Sequence, residues 1–447
     1  KKRYYTAYRT DGRPCLRLGE TGWKLALSST REEDLPAADA AWQEGSPYKF
    51  NGYAFWRHGS WTAHEESAQH WYATEIKLPA EFAGQRALLR IDAAYGPLAI
   101  FVNGERIGEH LFRGKEDRAF DISRAVRAGA NAVVLRFRNP NVFGRDANNS
   151  QLYPYEKRFG KAMIGILGQV TIEAVPDIHL EDVLIDPSWR DKSLTLRMTL
   201  RNAGEAQRAT VAASVIDPQG NKRLLTFDPI ETEAPPGISQ VTCKAPWPDP
   251  VCWSPDEPTL LRLTTQVTSG DAGDTAHERF GFAEWYPEGT RYMLNGKPVT
   301  LFVSHALDPL EFDRLKQREG MNSMRSVGTF DTMDACDEQG IAIRGIYVPG
   351  HRQDGDSCLA VQREQTLAMQ RYYYNRPSMF LWAVGNELGH ASVGPNLKLR
   401  AFYRDLIMEM QDFDPARASS SDGDLDMWGA SEVWSIHYPH EAKYEEP

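Results

Sequence analysis

The sequence predicts a multidomain protein of mixed class, two antiparallel β-sandwiches followed by a parallel α/β region. Three observations carry this. Up to about Phe282 the chain is filled with short alternating runs punctuated by Gly, Asn and Pro, and period-two alternation marks half-buried antiparallel strands. After Tyr292, short apolar runs alternate with helical stretches, the βα repeat of a parallel sheet or barrel. At 447 residues, 41% hydrophobic and 25% charged, the chain is ordinary globular material for roughly three domains of about 150 residues.

In the first domain, 1–176, strands are expected at Trp71–Ile76, Ala87–Ile91, Leu98–Val102 and Val133–Phe137. A boundary near Val175-Pro176-Asp177 opens the second, 177–283, with strands at Ile178–Ile185, Leu194–Leu200, Thr210–Ile216, Gln240–Lys244 and Leu260–Val267. Its length and some seven strands match an immunoglobulin-like sandwich of about 100 residues. The third domain, 284–447, has strands at Leu301–Val303, Met324–Ser326, Ala342–Ile346, Phe380–Val384 and Val433–Ile436, and a weaker one at Arg417–Ser420. Helices are expected between them at Leu310–Glu319, Thr329–Gln339, Leu359–Tyr374 and Leu397–Phe413.

Composition narrows the function classes. A net charge of −10, from 51 basic and 61 acidic residues without a basic cluster, argues against a nucleic-acid partner. No apolar run approaches the about 18 residues of a membrane-spanning helix, so no membrane partner is expected. Lys1-Lys2-Arg3-Tyr4 lacks both an initiator Met and a signal-peptide core, which leans the expected location to periplasmic or secreted, with the cytoplasm left open. Five cysteines without CxxC spacing suggest neither a disulfide framework nor a zinc site; a local Cys243–Cys252 pair is the one weighed.

The stretch from Asn375 to His390, NRPSMFLWAVGNELGH, carries the chemistry. Met379–Val384 reads as a strand covered on both faces, and it empties into Gly385-Asn386-Glu387. The C-terminal end of such a strand is where parallel sheets and barrels place their reactive groups. A carboxylate at that point is a candidate acid or base; the bland alternative is a helix-start or solvated glutamate. Glu387 and His390 also make Glu-x-x-His, a spacing used in carboxylate metal sites, but with no second cluster no metal is expected.

The phrases also stand in a familiar order. Trp71-Tyr72 with Leu78-Pro79, Val102-Asn103-Gly104, Phe120-Asp121-Ile122, Gly129-Ala130-Asn131 and Arg138-Asn139-Pro140 resemble the sugar-binding domain of glycoside hydrolase family 2. "YMLNGKPVTL" at Tyr292–Leu301 looks like the entry to that family's catalytic barrel, and "NRPSMFLWAVGNE" is similar to its acid/base motif. The resemblance covers nearly the whole chain. It implies a jelly-roll β-sandwich, an immunoglobulin-like sandwich and a (β/α)8 TIM barrel, with a carbohydrate as partner, no cofactor, and a homo-oligomer left open.

The resemblance also implies roles. Glycosidic cleavage takes two carboxyl groups, about 5–5.5 Å apart in retaining enzymes such as this family's. Glu387 is the implied proton donor and later base, its pKa raised by a neighbouring carboxylate and by apolar walls. Asn386 is the implied partner of the sugar 2-hydroxyl. Arg325, at the end of the second barrel strand, would hold the nucleophile ionised; here Ser326-Val327-Gly328-Thr329 replaces the family's usual Ser-His-Tyr-Pro-like loop. His305 and Asp308 follow the first barrel strand, which departs from the usual Gly-Val-Asn-Arg-His, and His437 and Tyr438 end the sixth in "WSIHYPH". With His390 these complete the substrate-binding candidates. Trp428 and Trp434 read equally as sugar platforms or core.

The barrel itself looks incomplete. From Glu284 to Pro447 the chain falls short of the about 250 residues a closed barrel takes, and six strands stand where eight close. The family's nucleophile, on strand seven, is expected beyond Pro447. The expected function is retaining exo-hydrolysis of a terminal β-linked sugar, a β-galactoside in the first place. A β-glucuronidase-type activity or a catalytically inactive carbohydrate-binding protein are the alternatives, and mannosidase variants fit the residues before Glu387 less well.

Overall fold

The structure is a computed structural model and describes residues 12–19, 21–28, 41–48, 67–143, 157–158, 161–162, 164–220, 222–304, 311–325, 330–347, 354–385, 388, 393, 395–423 and 425–435. The first antiparallel sheet contains β1 (Cys15–Leu18), β2 (Lys24–Ser28), β3 (Gln69–Lys77), β4 (Arg86–Val102), β5 (Glu105–Asp121), β6 (Ala130–Arg138) and β7 (Val170–Val175). They run β1-β7-β4-β6-β3-β2, with β5 also paired to β4.

Strand β4 corrects the sequence reading, which split it at Gly96-Pro97. It is one strand of 17 residues. Asp92 slips out of register between Ile91 and Ala93, while Gly96, at φ 95°, stays paired opposite Phe112. Glycine and proline bend the strand here without ending it, because β5 follows it throughout. Its first half pairs with β7 and its last residues with β6. Leu89, Ile91, Leu98 and Ile100 are fully buried against Phe112 and Phe137.

The second domain holds β8 (Ile178–Ser188), β9 (Ser193–Asn202), β10 (Gln207–Ile216), β11 (Arg223–Thr226), β12 (Ile230–Ala234), β13 (Gly237–Pro246), β14 (Leu261–Ser269) and β15 (Ala272–Phe280). One sheet runs β8-β9-β13; the other runs β11-β10-β14-β15, with β12 also on β10. The short β11 and β12, whose residues are mostly exposed or half-buried, and β15 are not among the strands expected from the sequence. Elsewhere alternation gives the core directly: Leu261, Leu263 and Val267 of β14 point inward against Leu196, Leu200 and Val215.

A three-stranded meander follows: β16 (Trp285–Glu288), β17 (Arg291–Leu294) and β18 (Lys297–Val299). Its Asn295-Gly296 turn has φ of 48° and 76°, the left-handed pair that tight hairpins favour. The chain then builds a parallel sheet of β19 (Val303–Ser304), β20 (Ser323–Arg325), β21 (Ala342–Tyr347), β22 (Met379–Val384) and β23 (Ser419–Ser421), in that order. Helices α1 (Phe312–Glu319), α2 (Phe330–Gln339), α3 (Asp356–Tyr372) and α4 (Leu397–Phe413) connect them. Helix α4 starts where the Asn396 side chain accepts the Leu399 N–H, an N-cap. It buries Leu399, Tyr403, Leu406, Ile407 and Met410, the 3.6-period stripe.

Every residue of β22 is buried, as its apolar run predicted. Met379, Trp382 and Val384 join the cluster containing Tyr403 and Ile407 of α4. Phe380 and Leu381 join Trp253 and Trp285 in another.

Among the described residues the parallel sheet has five strands, and Val433–Ser435, the described part of the expected sixth, is irregular. The reason lies in side chains that occupy the edge of β23. The Ser419 N–H donates to Glu432 Oε2 at 2.9 Å and the Ser421 N–H to Ser431 Oγ at 3.1 Å. Cys243 and Cys252 are both unoxidised thiols, so the pair between them is not made. Among the described residues, no helix is long and apolar enough to cross a membrane.

Candidate active site

The site is organised around β22, and the residues leading into that strand anchor it from below. The Asn375 carboxamide joins the second domain: its Oδ1 accepts the Ile185 N–H at 2.9 Å, and its Nδ2 donates to Val183 O at 2.8 Å and Glu278 at 3.0 Å. Arg376, 5% exposed, donates to Asp334 at 2.5 Å and Asp337 at 2.8 Å on α2. Pro377 O accepts the Trp285 indole N–H at 2.7 Å, and the Ser378 hydroxyl bonds Asp337 at 2.5 Å. Each residue of Asn-Arg-Pro-Ser therefore fixes the foot of β22 against a neighbour, a role the sequence reading did not assign.

At the other end, Val384 passes into Gly385 at φ 72°, a conformation L side chains adopt only at a cost. A Cβ there would also sit 2.4 Å from Leu388 Cδ2. Leu388 is fully buried in the core beneath the helices. Its N–H donates to Asp422 O at 3.0 Å, and the Asp422 N–H donates to Val384 O at 2.9 Å. Strand β22 and the residue that closes its turn are thus both hydrogen-bonded to Asp422, just past β23. Residues 386 and 387 lie between these fixed points and outside the described residues.

Arg325 ends β20, and its register partner on β21 is Arg344. Two like charges side by side repel, and Asp422 resolves the pair. Arg325 Nη2 donates to Asp422 Oδ2 at 2.8 Å and Arg344 Nη2 to Asp422 Oδ1 at 2.5 Å. Ser435 Oγ accepts from Arg344 Nη2 at 3.1 Å and donates to Asp422 Oδ1 at 3.4 Å. Asp422 is fully buried, whereas the Arg325 and Arg344 side chains keep 25% and 18% of their exposure. Burial pushes the Arg344 guanidinium below its ordinary value, against the pull of Asp422; it stays a cation.

Of the catalytic and substrate-binding candidates the sequence singled out, Arg325 is the one among the described residues. Arg325 bonds the buried carboxylate of Asp422 at 2.8 Å. Asn386, Glu387, His390, His305, Asp308, His437 and Tyr438 lie outside the described residues. Trp434 is 65% and Trp428 45% exposed, so neither is core; Arg400 and Arg404 stack on the Trp428 ring at 4.7 and 5.7 Å. Among the described residues no three His, Cys, Asp or Glu side chains are grouped to hold a metal. The sequence reading passed over Arg344 and Asp422. A charge inside the apolar run Ala342–Tyr347 and an acid just after Ser419-Ser420-Ser421 were the available signals.

Residues 178–282 match the family model described as glycosyl hydrolases family 2. A putative β-glucuronidase of Formosa agariphila is 22% identical, over 89% of this chain and 50% of its own length. A β-galactosidase of Bifidobacterium adolescentis is 25% identical over 63% of this chain and 30% of its own. The chain thus spans half or less of the length of these curated relatives. Among solved structures, a β-galacturonidase from Eisenbergiella tayi bound to glycerol superposes with a TM-score of 0.73 at 20% identity, covering 97% of this chain and 75% of that one. At that identity the likeness speaks for the fold.

Proposed function

From membership of glycosyl hydrolase family 2, to which this chain belongs, we propose that it is the acid/base-bearing part of a retaining exo-glycosidase acting on terminal β-linked sugars. The β-galactoside is the first substrate in this reading. One observation carries it: Val384 at the C-terminal end of β22 and Leu388 are both bonded to Asp422, whose carboxylate also holds two arginines of the parallel sheet. In parallel βα folds that end holds the reactive groups.

Glu387, two residues after the left-handed Gly385, acts as proton donor to the glycosidic oxygen and then as base for water. Asn386 binds the 2-hydroxyl. His305, Asp308, His390, His437 and Tyr438 are assigned to the sugar. The parallel sheet closes as a (β/α)8 barrel, and the first sheet folds as a jelly roll. The second carboxylate comes from the part of the relatives' length that this sequence does not match, and Arg325 helps to hold it.

The test uses the protein at its natural length against aryl β-galactosides, β-glucuronides and β-galacturonides, with the released anomer followed by NMR. Hydrolysis of the galactoside with retention is expected. Preference for a uronide moves the sugar and keeps the chemistry; no turnover of any β-glycoside, or inversion, refutes the proposal.

A further inference from the structure

We propose that Asp422 is a positioning residue for the acid/base, coupling the turn that carries Glu387 to the arginines of two neighbouring strands; this rests on the reading of Glu387 above. Separate ties meet in this residue. Its backbone is bonded on one side to Val384 O, where β22 ends, and on the other to the Leu388 N–H, where the turn closes. Its carboxylate gives one oxygen to each guanidinium, Oδ2 to Arg325 and Oδ1 to Arg344.

The side chain and the backbone therefore report on each other. Arg325 and Arg344 are register partners, and a carboxylate between them removes their repulsion. An amide in its place has one acceptor oxygen, and its NH2 faces a guanidinium as donor against donor. One arginine must then move away, and Asp422 cannot shift without drawing on Val384 and Leu388. Asp422 is fully buried and the Arg325 and Arg344 side chains keep only 25% and 18% of their exposure, so water replaces the lost acceptor only in part. The outcome is a displaced turn and a proton donor out of line with the leaving oxygen. Displacements of about 1 Å suffice to cost on the order of 100-fold in rate.

The experiment is Asp422→Asn in the natural-length protein, assayed on aryl glycosides of the sugar it hydrolyses, from dinitrophenyl to unsubstituted phenyl. Protonation matters most for poor leaving groups and contributes about 10²–10⁴-fold in general acid catalysis. The expected result is a loss at least about tenfold larger on the phenyl than on the dinitrophenyl substrate. A uniform loss across the series, tracking only a lower Tm, overturns the inference. Should D422N fail to fold, Arg344→Lys keeps the charge and drops one arm of the fork; the same steepening is expected, and a uniform loss again overturns it. Glu387→Gln in parallel separates the two claims. If E387Q shows no steepening, the reading of Glu387 itself fails; if E387Q steepens and D422N does not, only the role of Asp422 fails.

Discussion

Replacing Arg376 by Met is the sharpest test of how β22 is anchored. Arg376 is 5% exposed, and its two carboxylate partners, Asp334 and Asp337, are 3% and 0% exposed. Removing one member of a buried ion pair costs about 3–5 kcal/mol, because the remaining charge is left uncompensated. Two partial substitutes remain: Arg279 stands 3.3 Å from Asp334, and the Ser378 hydroxyl bonds Asp337. We therefore expect the lower end, about 3 kcal/mol, more than a hundredfold in the folding equilibrium. Urea unfolding followed by tryptophan fluorescence measures this. Two of the chain's 12 tryptophans sit at the joint, the Trp253 indole bonding Asp337 O at 2.8 Å and the Trp285 indole bonding Pro377 O at 2.7 Å. A second substitution, Asp337→Asn, should recover part of the loss in the double variant. A change below about 1 kcal/mol with an unaltered denaturant slope would refute this account of the buried joint.

Further outcomes follow from the same geometry. Asn375→Ala removes three hydrogen bonds to the second domain and should cost about 2 kcal/mol; a thermal shift indistinguishable from wild type contradicts the joint described. Gly385→Ala forces a side chain into φ 72° and against Leu388. It should lower stability by at least about 1 kcal/mol and cut turnover more than a surface Gly→Ala does, read by paired melts and kinetics. His179 is held neutral by burial and by the nearby Arg13 cation, its pKa depressed. Its share of stability is complete above the unfolded value near 6.5 and fades as pH falls below it, because the unfolded chain takes the proton first. The decline as pH falls below about 6.5 should shrink in His179→Gln; an unchanged pH slope removes His179 from the account.

Much of the architecture was legible because periodicity is a direct imprint of burial. The run Met379–Val384 is apolar throughout since both of its faces are covered, by α4 and by Trp253 and Trp285. Helix α4 falls at Leu397–Phe413, the span expected from the sequence. Strand β4 reads as two runs, Ala87–Ile91 and Leu98–Val102, because Gly96-Pro97 between them is locally a turn signal, and only the non-local pairing with β5 decides otherwise. Val433–Ser435 has a strand pattern but meets an edge already occupied by Glu432 and Ser431. At the site, Arg325 stood out by motif, whereas Asp422 acquires meaning only when the sheet brings three strand ends together. Asn375 and Arg376 were read as part of a motif, and their actual partners, up to 192 residues away in sequence, leave no local trace.

The most direct measurement of the central claim is the turnover of Glu387→Gln, in the protein at its natural length, on one sugar carrying a poor and a good leaving group. The account predicts that hydrolysis of the phenyl glycoside falls by about 10²-fold or more. Formation of the glycosyl intermediate from the dinitrophenyl glycoside should be nearly unchanged, with added azide restoring its breakdown. Equal rates for variant and wild type on the phenyl glycoside would contradict it.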